Sequence, residues 1–221
     1  SRFLDTNHSS VTYEEFIQKE IIHFSKYDCE RSIPHIMDGK KISLRKILFT
    51  ALKRRLTNEI KVAQFSGSVS EISCYHHGEA SLNGAIVNMA QDFVGSNNIN
   101  LLEPKGQFGT RLQGGEDSAS ERYIHTNLNP LTRYIFPEAD DKILHYLDDD
   151  GISVEPAYYA PIIPMILVNG SKGIGTGFST DIMSYNPLHI IQYIQAALTG
   201  GAKPTLTPYY EGFKGTIKKL E

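Results

Sequence analysis

The chain has 221 residues, 40 % of them hydrophobic and 21 % charged, and a net charge of −3. That is the balance of a soluble globular protein of one or two domains, and it argues against a uniformly basic nucleic-acid coat. No apolar run approaches the roughly 20 residues that cross a bilayer. The start, "SRFLDTNHSS", lacks the charged-then-apolar pattern of a secretory leader, and the absence of an initial methionine reads as a piece of a longer protein. Cys29 and Cys74 are the two cysteines. Neither has a neighbour at zinc-ligand spacing, so both read as structural residues of a reduced, intracellular compartment.

In chain order, Thr12 and Glu15 form a capping-box pattern, and Tyr13, Phe16, Ile17, Ile21 and Phe24 follow at helical spacing. They predict a helix over 13–25. "ISLRKILFTALKRRL" predicts a second helix, capped by Ser43. Its apolar stripe is Leu44, Ile47, Leu48, Ala51 and Leu52. Arg45, Lys46, Lys53 and Arg54 fall largely off that stripe, so a basic solvent face is expected. "KVAQFSGSVSEISCYHHGEASLNGAIVNMAQDFVG" holds two more helices, the latter carrying Leu82, Ile86, Met89, Ala90 and Phe93 and stopping near Gly95. The stretch from "NINLLEP" to "RYIHTNL" has strand-like ends and a Gly-rich excursion between them. Three helices and a β-excursion are the order of a winged helix-turn-helix. The acidic, turn-rich "FPEADDKILHYLDDDG" suggests a junction near Gly151. Beyond it come an apolar Gly-rich run, a short helix from Pro187 to Gly200, and a final segment that reads as strands.

Several motifs carry chemistry. "GSKGIGTG" resembles a phosphate-cradling loop, but its glycine and lysine spacing fits neither a P-loop nor a dinucleotide fingerprint, so tight backbone turns are the better reading. "YHHGE" places His76 and His77 at a helix start, where backbone N–H groups attract phosphate. Adjacent histidines diverge on a helix, which disfavours a shared metal. Arg31, Lys40, Lys41, Arg45 and Lys46 gather around an Asp38–Gly39 turn, a placement that suits a phosphate backbone. Tyr123, behind Arg122 in "SASERYIHTNL", reads by residue chemistry alone as packing. A tyrosine hydroxyl ionises only near pH 10, so as a nucleophile it needs a proton acceptor or a neighbouring positive charge.

Taken together, "RSIPHIMDG", "KVAQFSGSVSE", "YHHGEASL", "DFVGSNNINLL", "GQFGTRLQGGEDSASERYI", "VEPAYYAPIIPMILVNGSKGIGTGFST" and "FKGTI" resemble, in order, the breakage-reunion core of eukaryotic-type DNA topoisomerase II. The resemblance covers about residues 13–221. It implies an α+β fold, with a lead-in helix and winged-helix domain over 1–150 and the start of a mixed α/β tower domain over 151–221. It implies that Tyr123 attacks the DNA backbone and becomes joined to a 5′ phosphate, that Arg122 holds that phosphate, and that His77 assists. Arg31, Lys41 and Arg45 are implied DNA contacts, and Ile174 an apolar wedge between base pairs. The parent would be a nuclear homodimer acting on double-stranded DNA, a viral factory or organelle being the alternative compartment. It would use Mg²⁺ and ATP, both bound outside this chain, and no metal is expected within it. The isolated chain is therefore expected not to cleave DNA. A non-catalytic winged-helix DNA-binding module is the alternative reading. Three departures from the family pattern stand out: Lys40 replaces an aromatic residue, Ile42, Ser43 and Leu44 replace a Pro-Gly-Gln type turn, and Glu121 stands where a small residue or proline is common.

Overall fold

The structure, a computed structural model, describes residues 3–220. Residues 1, 2 and 221 of the expected domain spans lie outside it. The Thr12 hydroxyl accepts from the Glu15 N–H at 3.1 Å and the Glu15 carboxylate accepts from the Thr12 N–H at 3.3 Å, completing the capping box. It starts α1 (Tyr13–Phe16), which runs through a π-helical turn (Ile17–Ile21) into α2 (Ile22–Ser32). The helix thus passes the expected end at Ser25. Its stop is set by Pro34, which drives Ile33 into the extended region, φ −93° and ψ 121°. The extra residue of the π turn also breaks the 3.6-residue period, and no residue of this helix is buried.

The turn before α3 (Ile42–Lys53) is organised by Asp38, whose carboxylate accepts the Lys40 N–H at 3.0 Å. Lys41 is the helix's N-cap and gives no side-chain cap, so the expected Ser43 cap is not formed; Ser43 lies inside the first turn. Next come β1 (Ile60–Lys61), α4 (Val62–Ser73) and α5 (Glu79–Ala90). α5 stops short of the expected Gly95, because Gln91 leaves the helix at ψ 133°, so Phe93 lies outside it. Ile47 and Leu48 of α3, Phe65 and Val69 of α4, and Leu82 and Ile86 of α5 are fully buried together. They are the stripe residues that the helical period marks.

β1 pairs antiparallel with β2 (His125–Thr126). On its other side His125 exchanges both backbone hydrogen bonds with Lys105, at 2.9 and 3.0 Å. Residues 106–124 therefore leave this small sheet and return to it as the wing. After α6 (Thr132–Ile135), β3 (Tyr146–Asp149) and β4 (Ile152–Pro156) form a hairpin. Its turn uses Asp150 and Gly151, both at positive φ. The junction expected near Gly151 falls in this turn, and packing is continuous across it: Tyr159, Ile163, Met165, Val168 and Ile190 share one core with the three helices.

Beyond the hairpin lie α7 (Met165–Val168), β5 (Ser171–Gly175), β6 (Phe178–Ile182) and α8 (Pro187–Thr199). Asn186 caps α8 and Gly200 ends it in the left-handed region. Residues 201–220 form no regular strand, contrary to expectation; a single bridge joins Tyr185 and Pro208. Pro204 and Pro208 cannot donate to a ladder. The segment is held instead by Asn98, whose amide donates to the carbonyls of Val168, Tyr185 and Tyr209 and whose oxygen accepts from the Glu211 N–H. The whole is α+β: helices around one core, with two-stranded sheets at its edge.

Candidate nucleic-acid interface

The wing brings Arg122 and Tyr123 to the N-terminus of α4. The first N–H groups of that helix, from Val62 and Ala63, donate to the carbonyls of Ile124 and Glu121 at 3.0 and 3.1 Å. A helix start leaves such groups without intrahelical partners, so the loop caps α4 while α4 anchors the loop. Residues 121–123 form a turn closed by the Tyr123 N–H on the Ser120 carbonyl at 2.9 Å. Because the pair sits in a turn and not in a strand, the two side chains are not forced to opposite faces. The Arg122 guanidinium lies 5.7 Å from the Tyr123 ring centre, and Tyr123 is 72 % exposed. The Glu121 carboxylate accepts from the Ser120 hydroxyl at 3.4 Å.

His77 sits two residues before α5, not in its first turn, and close to the C-terminal end of α4. Its Nε2 lies 3.1 Å from the Tyr27 hydroxyl. With Arg31, Tyr27, Lys46 and His76 it lines a cavity of about 310 Å³. Desolvation by the cavity wall, and then the cations Arg31, His76 and Lys46, hold its pKa below the ordinary histidine value. A ring so placed favours its neutral form, which can accept a proton.

Arg31 also faces a larger open cavity of about 980 Å³, together with Lys41 and Lys172. One wall is the small-residue face of α5, with Ser81, Gly84 and Ala85 at three- and four-residue spacing. Small side chains there let a bulky partner approach the helix closely. The rim includes β5 and β6, whose hairpin carries Ile174, 74 % exposed. A Cβ on Gly173 would overlap the Ser32 carbonyl, and one on Gly175 would crowd Cys29. These glycines let the hairpin lie flat on α2 and hold Ile174 outward. "KGIGTG" is thus a β-hairpin, without the strand–loop–helix frame that a nucleotide-binding loop needs.

The expected basic solvent face of α3 does not hold for Arg45 and Lys46, which are 4 % and 9 % exposed. Arg45 grips both Asp38 oxygens, at 2.7 and 3.1 Å, and donates to the Lys40 carbonyl at 2.8 Å. Asp38 in turn accepts the Tyr159 N–H at 2.9 Å. Lys46 donates to Glu155 at 2.8 Å. Both cations are buried because carboxylates from outside the helix meet them, which no helical period reveals. Arg45 therefore organises the turn that presents Lys41. Lys40 is buried as well, with its ammonium 5.9 Å from the Phe136 ring centre. Among the described residues no group of three or more His, Cys, Asp or Glu could hold a metal ion.

The described contacts thus form two clusters, the wing turn at one end of α4 and the His77–Arg31 cavity at the other. Residues 31–221 match the family of the DNA gyrase/topoisomerase IV A-subunits. The chain belongs to that family. It is 56 % identical over 216 residues to DNA topoisomerase 2 of Arabidopsis thaliana, covering 98 % of this chain and 15 % of that relative. It is 57 % identical over 218 residues to the mitochondrial DNA topoisomerase 2 of Dictyostelium discoideum, covering 98 % of this chain and 17 % of that relative. Against DNA topoisomerase 2-alpha of Mus musculus it is 55 % identical over 212 residues, 96 % of this chain and 14 % of the relative. A solved structure of the topoisomerase II DNA-binding, cleavage and re-ligation domain of Plasmodium falciparum superposes with a TM-score of 0.89 at 52 % identity, covering 98 % of this chain and 30 % of that one. This topoisomerase-family chain spans less than a fifth of the length of the curated relatives named here.

Two features of this topoisomerase-family interface were missed in the sequence. Tyr27, which meets His77, lies beyond the expected end of the first helix. The small face of α5 was legible in its three- and four-residue spacing, flanking the Leu82–Ile86–Met89 stripe, but an apolar pattern marks the buried side first.

Proposed function

We propose that the parent protein of this chain is an ATP-dependent type II DNA topoisomerase, and that the chain is part of its cleavage and re-ligation core. The observation that carries this reading is the wing turn: an exposed tyrosine beside an arginine, on a loop fastened to a helix start, in a chain that belongs to this family. In the reaction, the Tyr123 oxygen attacks a backbone phosphorus, the 3′ oxygen leaves, and a 5′-phosphotyrosyl ester forms. Reversal reseals the strand without an outside energy source. Such transfer is mainly positioning and charge neutralisation. Arg122 supplies the charge beside the nucleophile, and His77, favoured in its neutral form, assists with the proton. Arg31 and Lys41 take neighbouring phosphates along the open cavity, and Ile174 wedges the duplex into a bend that lets it follow the protein. Arg45 acts through the turn it holds.

The two clusters stand at opposite ends of α4, whose 12 residues span about 18 Å. We infer that a phosphate served by both takes Tyr123 from one copy and His77 from another, as a homodimer allows. We infer that Mg²⁺ and ATP are held by other parts of the parent. The nucleus is the compartment we infer for the parent.

The test is to trap covalent DNA adducts with the parent protein. Tyr123→Phe is expected to abolish them while DNA binding persists. Adducts that survive the change would sink the nucleophile assignment. The isolated chain supplied with Mg²⁺ is expected to form none, and efficient adduct formation by it would show that no other domain is needed.

A further inference from the structure

The turn from Ser73 to His77 is held from outside. At its start, the buried Lys46 ammonium donates to both the Ser73 carbonyl and the Glu155 carboxylate. In its middle, His76 Nε2 meets Asp149 at 2.9 Å. Cys74, between them, sits at φ 51°, a conformation that L side chains rarely adopt without outside support. Asp149 and Glu155 belong to the two strands of one hairpin, β3 and β4. Asp149 also lines the His77 cavity.

Neither carboxylate is explained by stability alone. The His76–Asp149 pair is solvent-facing, with His76 74 % and Asp149 30 % exposed, and such pairs contribute little. The Lys46–Glu155 pair is buried, and the cost of desolvating both ions offsets much of their attraction. What the two pairs do share is the turn they hold and the ring at its end. We propose that the β3–β4 hairpin is the positioning element of His77, with Asp149 and Glu155 as positioning residues that act through His76 and Lys46. This rests on the reading of His77 as the group that assists at the phosphate. Phosphoryl transfer tolerates little misplacement of its assisting groups, so a hairpin remote from the nucleophile controls the rate.

The experiment uses the parent protein and measures the rate of covalent adduct formation alongside DNA half-saturation. Asp149→Ala is expected to slow adduct formation about tenfold or more with half-saturation unchanged. Asp149→Asn, which keeps an acceptor for His76, is expected to stay within about threefold of wild type. The double change Lys46→Met with Glu155→Leu keeps the buried site filled and is expected to slow the reaction similarly. In parallel, the His77 ring resonances of the chain are followed by NMR and are expected to move in Asp149→Ala. Wild-type rates in Asp149→Ala, or unmoved His77 resonances, overturn the proposal. A His77→Ala parent at full rate would instead overturn the role of His77, while the resonances still decide whether the hairpin positions its ring.

Discussion

At the scale of single residues, Lys40 is a cation that the fold buries, with 8 % of its surface exposed. Burial, opposed in part by Asp38 and reinforced by Arg45, lowers its pKa from 10.5 to about 8. Between about pH 8 and 10.5 the unfolded chain therefore binds a proton that the folded chain releases. Stability from this group accordingly rises with pH across that window, and below pH 8 the full cost of the buried charge applies, about 3 kcal/mol. Lys40→Leu is expected to raise stability at pH 7 by roughly 2–3 kcal/mol and to flatten the alkaline rise. Thermal unfolding at pH 7 and 9.5 reads both; a lower melting temperature in the variant would show that the ammonium is satisfied where it lies. The residue types around the site were legible from the start, and Arg122 with Tyr123 could be singled out. Whether both could face one phosphate was not, because that depends on a turn made by bonds to Val62 and Ala63.

At the scale of elements, periodicity found α4 and α5, and the Asn186 cap with Pro187 and Gly200 bounded α8, because those signals are local in sequence; the end of α5, expected near Gly95, falls instead at Ala90. They misplaced the end of the first helix, where a π turn shifts the face, and the start of α3, where Asp38 organises the entry. The β5–β6 hairpin shows the limit clearly. Its glycines looked like a phosphate loop, and only the packing on α2 explains them. Gly173→Ala is expected to push the hairpin off the Ser32 carbonyl, lowering stability by about 2 kcal/mol and reducing DNA bending by the parent. Ile174→Ala is expected to reduce bending with stability nearly unchanged, since that side chain is 74 % exposed. Calorimetry and a bending assay separate the two; an undisturbed bend in Gly173→Ala would mean that the hairpin's seat does not matter.

At the scale of the whole molecule, the Arg122–Tyr123 turn and the His77–Arg31 cavity stand at opposite ends of α4 and form two clusters. That arrangement predicts complementation. A heterodimer of one Tyr123→Phe parent with one His77→Ala parent should hold one intact site and one doubly impaired site if the two clusters of a site come from different copies. Single-strand cleavage near the wild-type rate is then expected from a pair whose homodimers are both defective. If each copy used its own pair, every site would carry one defect, and the mixed dimer would be no better than its parents.

The sequence by itself determined the local grammar: the Thr12 capping box, the helical stripes, the Pro187–Gly200 helix, and, through resemblance over most of the chain, the family. Each depends on residues a few positions apart or on long matching motifs. The tertiary structure alone decided that Arg45 and Lys46 turn inward, that the glycine loop is a seated hairpin, and that Tyr123 and His77 lie in separate clusters. Those outcomes depend on partners far away in the chain, as when Lys46 meets Glu155 across 109 positions. Charge burial is settled only when such distant groups are brought into one low-dielectric core.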